Sequence, residues 1–299
     1  MHALERKDGR LPDAATRVTA VTVTHNSAAA LKGLLDALPP GLRAIIVDNA
    51  STDGGPALAE VAGATVIRSP RNLGFGVGCN LGMAAIRTEF VLLLNPDARI
   101  GAEALEALVR AADEFPEAAI VAPALLDSSG APVRSWDAAQ PRRPRLIRCR
   151  DAEPWPSGPF CADYVQGAAM LLRRADGLRF DEAFFLFYED DDLCTQARCL
   201  GRSVVVVPGA VVTHAGGRSS RPSPRIHWRK AQHMAFSRLV YAAKYQGKRA
   251  AARQAAARLL HHGGKALGHA VTLRRGKLWT DLAGLAGTVR WIARPGREG

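Results

Sequence analysis

Between Val18 and Ala112 the chain alternates short β-rich runs with helical patterns, and nothing else in its 299 residues narrows the fold as far. Val18–Thr24 has the pattern of a strand, and Ala28–Leu38 that of a helix stopped by Pro39-Pro40. A strand over Ala44–Val47 precedes a helix over Asp53–Val61. Ala64–Arg68 is a further short strand, followed by a Gly-rich turn and a helix over about Val77–Ile86. Phe90–Leu94 is an unbroken apolar strand, and Ala102–Ala112 a helix. Strands separated by helices predict a mostly parallel sheet covered on both faces. Ligands of such sheets sit beyond the carboxyl ends of the strands. The polar residues at those ends are Thr24-His25-Asn26, Asp48-Asn49-Ala50-Ser51 and Asn95-Pro96-Asp97.

Residues 127–162 are rich in Pro and Arg and predict a long surface loop. Tyr164–Arg173 returns as a strand, Glu189–Leu200 as a helix, and Ser203–Val207 as a strand ending at Pro208. From about Ile226 the pattern is helical and basic. From Gly216 onward there are 18 Lys/Arg against two Asp/Glu, or +16, so with a net charge of +12 the preceding residues carry −4. The chain therefore divides into a polar, flexible lead over 1–17, an α/β domain over 18–225 and a basic helical extension over 226–299. No apolar run reaches the roughly 18 residues of a membrane span, and the lead lacks the apolar core of a signal peptide. Five cysteines (Cys79, Cys149, Cys161, Cys194 and Cys199) without a CxxC argue against a disulfide framework or structural zinc, and fit a reducing cytoplasm.

Five stretches carry candidate chemistry. In IIVDNASTDGG (45–55) a strand ends at Asp48, whose carboxylate suits a base N–H or a ribose hydroxyl; Ser51 or Asp53 equally suits a simple helix cap. RNLGFGVGCN (71–80) places Gly74, Gly76 and Gly78 before a helix, where backbone N–H groups can meet an anion. It matches neither GxGxxG nor a P-loop, and a tight turn explains it as well. FVLLLNPDA (90–98) sets Asp97 at the end of a buried strand, a position for oxygen-seeking Mg²⁺ or Mn²⁺; NPD is also an ordinary turn. FDEAFFLFYEDDDLCTQARCLG (180–201) opens a helix with four carboxylates, more than a favourable helix N-terminus requires. One of them, facing a sugar hydroxyl, can act as general base. In VVTHAGGRSS (211–220) His214 follows a strand and is either structural or a metal ligand partnering Asp97.

Taken together, VDNASTDG, RNxGFGxGxN, LLLNPD, the FFLFYEDxDLCxxAR run and THAGG resemble, in order and spacing, inverting glycosyltransferases of family 2 with the GT-A fold. The nearest likeness is to bacterial rhamnosyltransferase-like members, over roughly residues 18–220. The resemblance implies Thr24, Asn26 and Asp48 around the nucleotide base and ribose. It implies Asn72, Gly74 and Gly78 near the nucleotide-sugar, with Asn95 beside them. Asp97 and His214 become ligands of Mg²⁺ or Mn²⁺, Asp190 the catalytic base, and Asp192, with Glu189, the acceptor-side acids. The chain departs from the family's pattern in carrying Asn95 for the first acid of the DxD motif, His25 for a commoner Tyr, and Asp191 for an apolar residue.

The implied reaction is inverting transfer from a nucleotide-diphospho-sugar, dTDP-rhamnose first, to a hydroxyl of a glycan or lipid-linked acceptor in bacterial cell-surface polysaccharide synthesis. The basic extension, with Trp228, Trp279 and Trp291, suits peripheral attachment to an anionic inner leaflet; a solvated helical pair is the alternative. Two rivals remain at this level. A nucleotidyltransferase would also set carboxylates and a metal beside an NTP. A nucleic-acid-binding protein would explain a pI near 10.1, but no zinc-finger, RNP or homeodomain pattern is present, and no nucleic-acid partner is expected.

Overall fold

The structure is a computed structural model that describes residues 13–137, 156–216 and 223–294. In chain order the elements are α1 (Ala14–Arg17), β1 (Val18–Thr24), α2 (Ala28–Ala37), β2 (Arg43–Asn49), α3 (Gly55–Val61), β3 (Thr65–Ser69), α4 (Phe75–Ala84), β4 (Phe90–Leu94), β5 (Ala98–Ile100), α5 (Ala102–Glu114) and β6 (Ala118–Leu126). They continue with β7 (Pro132–Val133), β8 (Trp136–Asp137), β9 (Phe160–Cys161), β10 (Tyr164–Val165), β11 (Ala169–Arg173), α6 (Glu189–Cys199), β12 (Ser203–His214), α7 (Pro224–Gln246), α8 (Lys248–Val271) and α9 (Arg275–Ile292). The described residues form two compact units. A sheet unit draws on residues 13–73, 77–137, 156–180 and 193–216. A helical unit draws on Gly74–Gly76, Asp181–Asp192 and residues 223–294.

The sheet runs β3-β2-β1-β4-β11-β6-β12-β5, with β7 on β6 and β9 on β12. Its first four strands are parallel, as is the β6–β12 joint. β11 enters antiparallel between β4 and β6. The expected mostly parallel, helix-flanked sheet is thus present. Every residue of β1 and β4 is buried, as continuous apolar runs in a sheet covered on both faces require. α5 buries the stripe Ala104, Leu105, Leu108, Val109 and Ala112 against it, the spacing of one helical face. Each fully buried Leu there contributes about 1.5–3 kcal/mol.

The structure adds one strand that the sequence did not signal and changes other expectations. β6 has no clear sequence signal, because Pro123 interrupts its apolar pattern and proline cannot donate to a ladder. β12 does not stop at Pro208 but continues to His214 through a register shift between Val207 and Val211. Val207 pairs with Pro123 and Val211 with Ala124, so both prolines sit at one irregularity, where the missing N–H groups cost least. The segment 127–162 is not all loop, since β7, β8 and β9 lie in it; residues 138–155 are outside the described set. Of the lead expected over 1–17, only 13–17 are described. They form α1, capped by the Asp13 carboxylate on Ala15 N–H at 3.0 Å and tied by Arg17 to Asp113 (2.7 Å) and Glu89 (2.8 Å). Among the described residues Cys79, Cys161, Cys194 and Cys199 form no disulfide; Cys149 lies outside the described residues.

In the helical unit α7, α8 and α9 pack on one another. Ser223 caps α7 on Ile226 N–H. Phe184, Phe236, Val240 and Tyr241 form a small core joined by Ala183, Tyr188, Tyr245 and Trp291. Buried Asp281 of α9 meets Nδ1 of His262 and of His269 on α8, each at 2.8 Å. Burial opposes ionisation of Asp281, but these two contacts prevail and hold its carboxyl below the usual range. No described helix is long and apolar enough to cross a membrane.

Candidate active site

The parallel register sets Thr24 of β1 opposite Asp48 of β2, so two of the expected nucleotide-side residues are neighbours by backbone pairing alone. Thr24 Oγ1 is buried and has no hydrogen-bond partner among the described residues. The Asp48 carboxylate accepts from Ser51 N–H at 3.1 Å. Asn26, at φ 54°, accepts from Thr52 N–H through Oδ1 at 2.7 Å and donates its own N–H to Ser51 Oγ at 3.0 Å. Asp48 and Asn26 thereby shape the loop that follows β2. His25 Nδ1 donates to the Asn49 carbonyl at 2.8 Å. Of the two readings of Asp53, the cap is realised twice over. It accepts from Ala28 N–H (2.8 Å) at the start of α2 and from Gly55 N–H (3.1 Å) at the start of α3.

At the far side of the sheet, His214 pairs in register with Ala98. That brings its Nε2 to 3.3 Å from Asp97 Oδ1 and 3.4 Å from Asn95 Nδ2. Both Asp97 and His214 are buried, 4% and 7% exposed. Asn95 N–H donates to the Ala168 carbonyl at 2.9 Å, and Ala215 N–H to the Asp97 carbonyl at 3.2 Å. Arg99 joins them without a sequence signal. Its guanidinium donates to the carbonyls of Pro96 (3.2 Å), Ala98 (2.7 Å) and Ala30 (3.1 Å), clasping the turn that carries Asp97. The donors fit a hard divalent cation, one carboxylate and one imidazole converging within a buried turn. No group of three or more His, Cys, Asp or Glu that could hold a metal occurs among the described residues. Asp97 and His214 are thus two candidate ligands, and a hard cation held by them would need further oxygen donors.

The glycine turn serves two purposes. Within the sheet unit, a Cβ on Gly78 would lie 2.7 Å from Val23 Cγ1, and one on Gly82 2.5 Å from Val21 Cγ1. Gly78, expected beside the donor, is thus needed for packing, because it lets α4 lie directly on β1. Within the helical unit Gly74 has φ +89°, and a Cβ there would run into the Phe185 carbonyl oxygen. Phe75 N–H donates to that same oxygen at 3.3 Å. Asn72 is half-buried ahead of this turn. The last residue of the motif, Asn80, holds the backbone of Phe180 from both sides. Its Oδ1 accepts from the N–H at 2.9 Å and its Nδ2 donates to the carbonyl at 2.8 Å.

The acidic run opens α6, and its residues Glu189–Asp192 group with α7–α9. Just before it Phe187 and Tyr188 both adopt positive φ, 68° and 67°. Two such non-glycine residues store strain of about 1–3 kcal/mol each, which persists only if the surroundings enforce it. One face of α7 does so. His233 stacks on Phe185 at 4.7 Å, Ser237 Oγ donates to the Leu186 carbonyl at 2.9 Å, and Tyr241 meets Tyr188 at 5.6 Å. Lys244 Nζ and Tyr245 Oη reach Asp192 Oδ1 at 2.7 and 2.8 Å. Asp192, expected to hold the acceptor, is fully buried and its carboxylate is engaged by those two residues. Glu189 is buried too, and burial first, then the charges of Asp190 and Asp191, push its carboxyl well above the usual range. Asp190 is the most accessible of the four, and its Oδ1 accepts from Asp191 N–H at 3.0 Å. None of these α7 partners stands out in the sequence, although their spacing of three or four residues traces one helical face.

The family described as Glycosyl transferase family 2 matches residues 19–178, a span that contains Asp48 and Asp97. Over 217 residues the chain is 28% identical to N-acetylglucosaminyl-diphospho-decaprenol L-rhamnosyltransferase of Mycobacterium tuberculosis (strain CDC 1551 / Oshkosh), covering 61% of this chain and 69% of that one. The mannosyltransferase PcManGT from Pyrobaculum calidifontis, solved with GDP-Man and Mn²⁺, superposes with a TM-score of 0.54 at 19% identity, covering 93% of this chain and 87% of that one. S. aureus TarS 1-349 in complex with UDP superposes with a TM-score of 0.50 at 17% identity, covering 73% and 64%. These structures share the fold, the GT-A arrangement that the motif order implied. The nucleotidyltransferase and nucleic-acid readings give way to a match of this extent, which covers more than half of the sequence and both strand-end acids: the chain belongs to glycosyl transferase family 2 and is a glycosyltransferase.

Proposed function

We propose that this glycosyltransferase moves a sugar from a nucleotide-diphospho-sugar, with dTDP-rhamnose the first candidate, to a hydroxyl of a lipid-linked glycan during assembly of bacterial cell-surface polysaccharide. The anomeric carbon inverts. The observation that carries this reading is the buried Asp97–His214 pair, 3.3 Å apart at the carboxyl edge of the sheet. Support for donor and acceptor class comes from the Mycobacterium tuberculosis relative, whose name specifies a rhamnosyl transfer onto a diphospho-decaprenol-linked sugar.

Asp97 and His214 would hold Mg²⁺ or Mn²⁺, which when bound offsets the charge growing on the departing nucleoside diphosphate. Binding requires His214 Nε2 to be the unprotonated ring nitrogen. Asp48, the loop it shapes with Asn26, and the Thr24 hydroxyl meet base and ribose; Asn72 and the Gly74 turn approach the donor. Asp190 takes the proton of the acceptor hydroxyl, whose oxygen attacks the anomeric carbon from the face opposite the leaving group. Asp192 and Glu189 act from behind it: the first anchors the start of α6 to Lys244 and Tyr245, the second is a buried, proton-retaining neighbour. The +16 charge from Gly216 onward supports work against an anionic membrane surface on the cytoplasmic side.

The test is an in vitro transfer with Mn²⁺, a panel of nucleotide-sugars and an N-acetylglucosaminyl-diphospho-prenol acceptor. The expected result is dTDP release with one new glycosidic bond of inverted configuration by NMR. Transfer from another donor alone replaces dTDP-rhamnose; no transfer from any donor to any lipid-linked acceptor ends the proposal.

A further inference from the structure

Two adjoining cavities of the helical unit have no place in the sugar chemistry. The larger, about 950 Å³, is walled by Val240, Ala252, Ala256, Leu259, Trp291 and Ile292. Its size is at the top of the range for ligand sites, roughly 300–1,000 Å³. Alanines on α7 and α8 leave this hollow where longer side chains would close it. Lys244, Lys248 and Arg294 also line it. The smaller, about 410 Å³, shares Glu182, Ala183 and Arg294 with the larger and adds Arg290, His233 and the rings of Phe185 and Phe236.

The smaller cavity sets two guanidinium groups, Arg290 and Arg294, against one carboxylate, Glu182, and so keeps an excess of positive charge. Arg290 and Arg294 stand over the Phe236 ring at 5.0 and 5.8 Å; Arg294 also helps to lower the pKa of the Asp181 carboxyl, which Lys244 holds at 2.7 Å. His233 is 7% exposed, lines this cavity, and its Nδ1 has no hydrogen-bond partner among the described residues. Burial, and then the charges of Arg290 and Arg229, push its pKa down to about 4, so the ring is neutral at pH 7 and offers one hydrogen bond rather than a third charge. Guanidinium pairs are suited to bidentate binding of phosphate oxygens. An apolar groove that opens beside such a cluster complements an amphiphile with an anionic head. A nucleotide would leave the alanine and leucine walls of the groove without a partner.

We propose that these two cavities bind the lipid end of the acceptor, with the prenyl hydrocarbon in the groove of Ala252, Ala256, Leu259 and Trp291 and the phosphate linkage against Arg290 and Arg294. The inference rests on the lipid-linked acceptor proposed above and adds the residues that recognise its lipid. It also ties lipid seating to catalysis. Lys244, in the wall of the groove, holds Asp192 Oδ1 and Asp181 Oδ2, both at 2.7 Å.

Farnesyl diphosphate, titrated by isothermal calorimetry, tests the site against inorganic diphosphate, farnesol and phosphatidylglycerol vesicles. Farnesyl diphosphate is expected to bind at least about tenfold more tightly than either fragment. Ala256→Trp, at an exposed groove position, is expected to cost about tenfold in farnesyl diphosphate affinity and to raise the acceptor KM similarly. It should leave the melting temperature and acceptor-free donor hydrolysis unchanged. Arg290→Gln with Arg294→Gln should reduce farnesyl diphosphate binding to the level of farnesol. Equal binding of farnesyl diphosphate and inorganic diphosphate, or indifference to Ala256→Trp, overturns the proposal. So does equal, Ala256→Trp-sensitive binding of the vesicles, which assigns the groove to bulk lipid. Binding that arises only when residues 295–299 are removed assigns it to the chain's own terminus, with the same consequence. If farnesyl diphosphate fails while donor hydrolysis persists, this inference alone falls. If it binds as expected but no lipid-linked acceptor is glycosylated, the lipid recognition stands and the acceptor assignment falls.

Discussion

The strand-end residues and the acidic segment are held in place by different means. In the sheet unit, backbone pairing does the positioning: β1–β2 register sets Thr24 against Asp48, and β5–β12 register sets His214 against the Asp97 turn. Side chains such as Asp53 and Arg99 only finish the loops. In the helical unit no sheet supports the acids. Asp190 follows two residues of strained backbone, and the side chains of α7, some fifty residues later, hold that backbone and Asp192. The metal-type site is therefore robust to changes in distant sequence, whereas the base-type site is only as well placed as α7 keeps it.

The sharpest test of that division separates chemistry from donor binding. Asp190→Asn is expected to lower kcat by about 10²–10⁴-fold, the usual worth of a general base, with donor affinity by calorimetry unchanged. Asp97→Asn should lose turnover to a similar degree and, in addition, the divalent-ion dependence of donor affinity. If both variants weaken the donor alike, the two regions do not divide the labour in this way. Next in size are the glycines. Gly78→Ala forces α4 off β1 at Val23 and should cost about 1–3 kcal/mol of stability, as overpacking does, with kcat of the surviving fold near normal. Gly74→Ala meets both a positive φ and the Phe185 carbonyl and should lower kcat as well as stability. Thermal melts beside steady-state kinetics distinguish the pair; an equal kcat loss in both would show that the turn is one functional piece.

How much of this is legible in the sequence follows from the same contrast. Asp48 and Asp97 stand out because a strand end is a local pattern. β6 is concealed by Pro123, and the far end of β12 by Pro208; the shared irregularity that accommodates both prolines exists only in the paired sheet. The sequence alone does not separate a packing role for Gly78 from a donor-side one, because a close helix–strand approach and an anion-binding turn leave the same glycine signature. Arg99 gives no signal since its partners are backbone carbonyls, which have no sequence identity. The α7 face is visible as helical spacing, but nothing local to Tyr245 says that Asp192, 53 residues earlier, is its partner. Tyr245→Phe probes that contact. It should cost about 1.5–3 kcal/mol, the range for a hydrogen bond to a charged group, and lower kcat several-fold without moving donor affinity. Loss of stability with unchanged kcat would confine Tyr245 to a structural role.

The smallest effect concerns proton retention at Glu189. Its folded-state pKa lies well above the ordinary 4.5, through burial first and then the charges of Asp190 and Asp191. Below about pH 4.5 folded and unfolded chains both carry the proton, and the group has no influence on stability. Above that point the unfolded chain releases the proton while the folded chain keeps it, so this carboxyl makes stability fall as pH rises towards the folded pKa. Glu189→Gln keeps the shape and removes the titration. The variant is expected to match the wild type near pH 4 and to melt progressively higher from pH 5 to pH 8, by about 2–4 °C for each kcal/mol relieved. A Tm-against-pH series on both proteins reads this directly. Parallel curves would mean that Glu189 ionises in the fold at its ordinary pKa, and that the acidic segment carries more negative charge beside Asp190 than its burial allows.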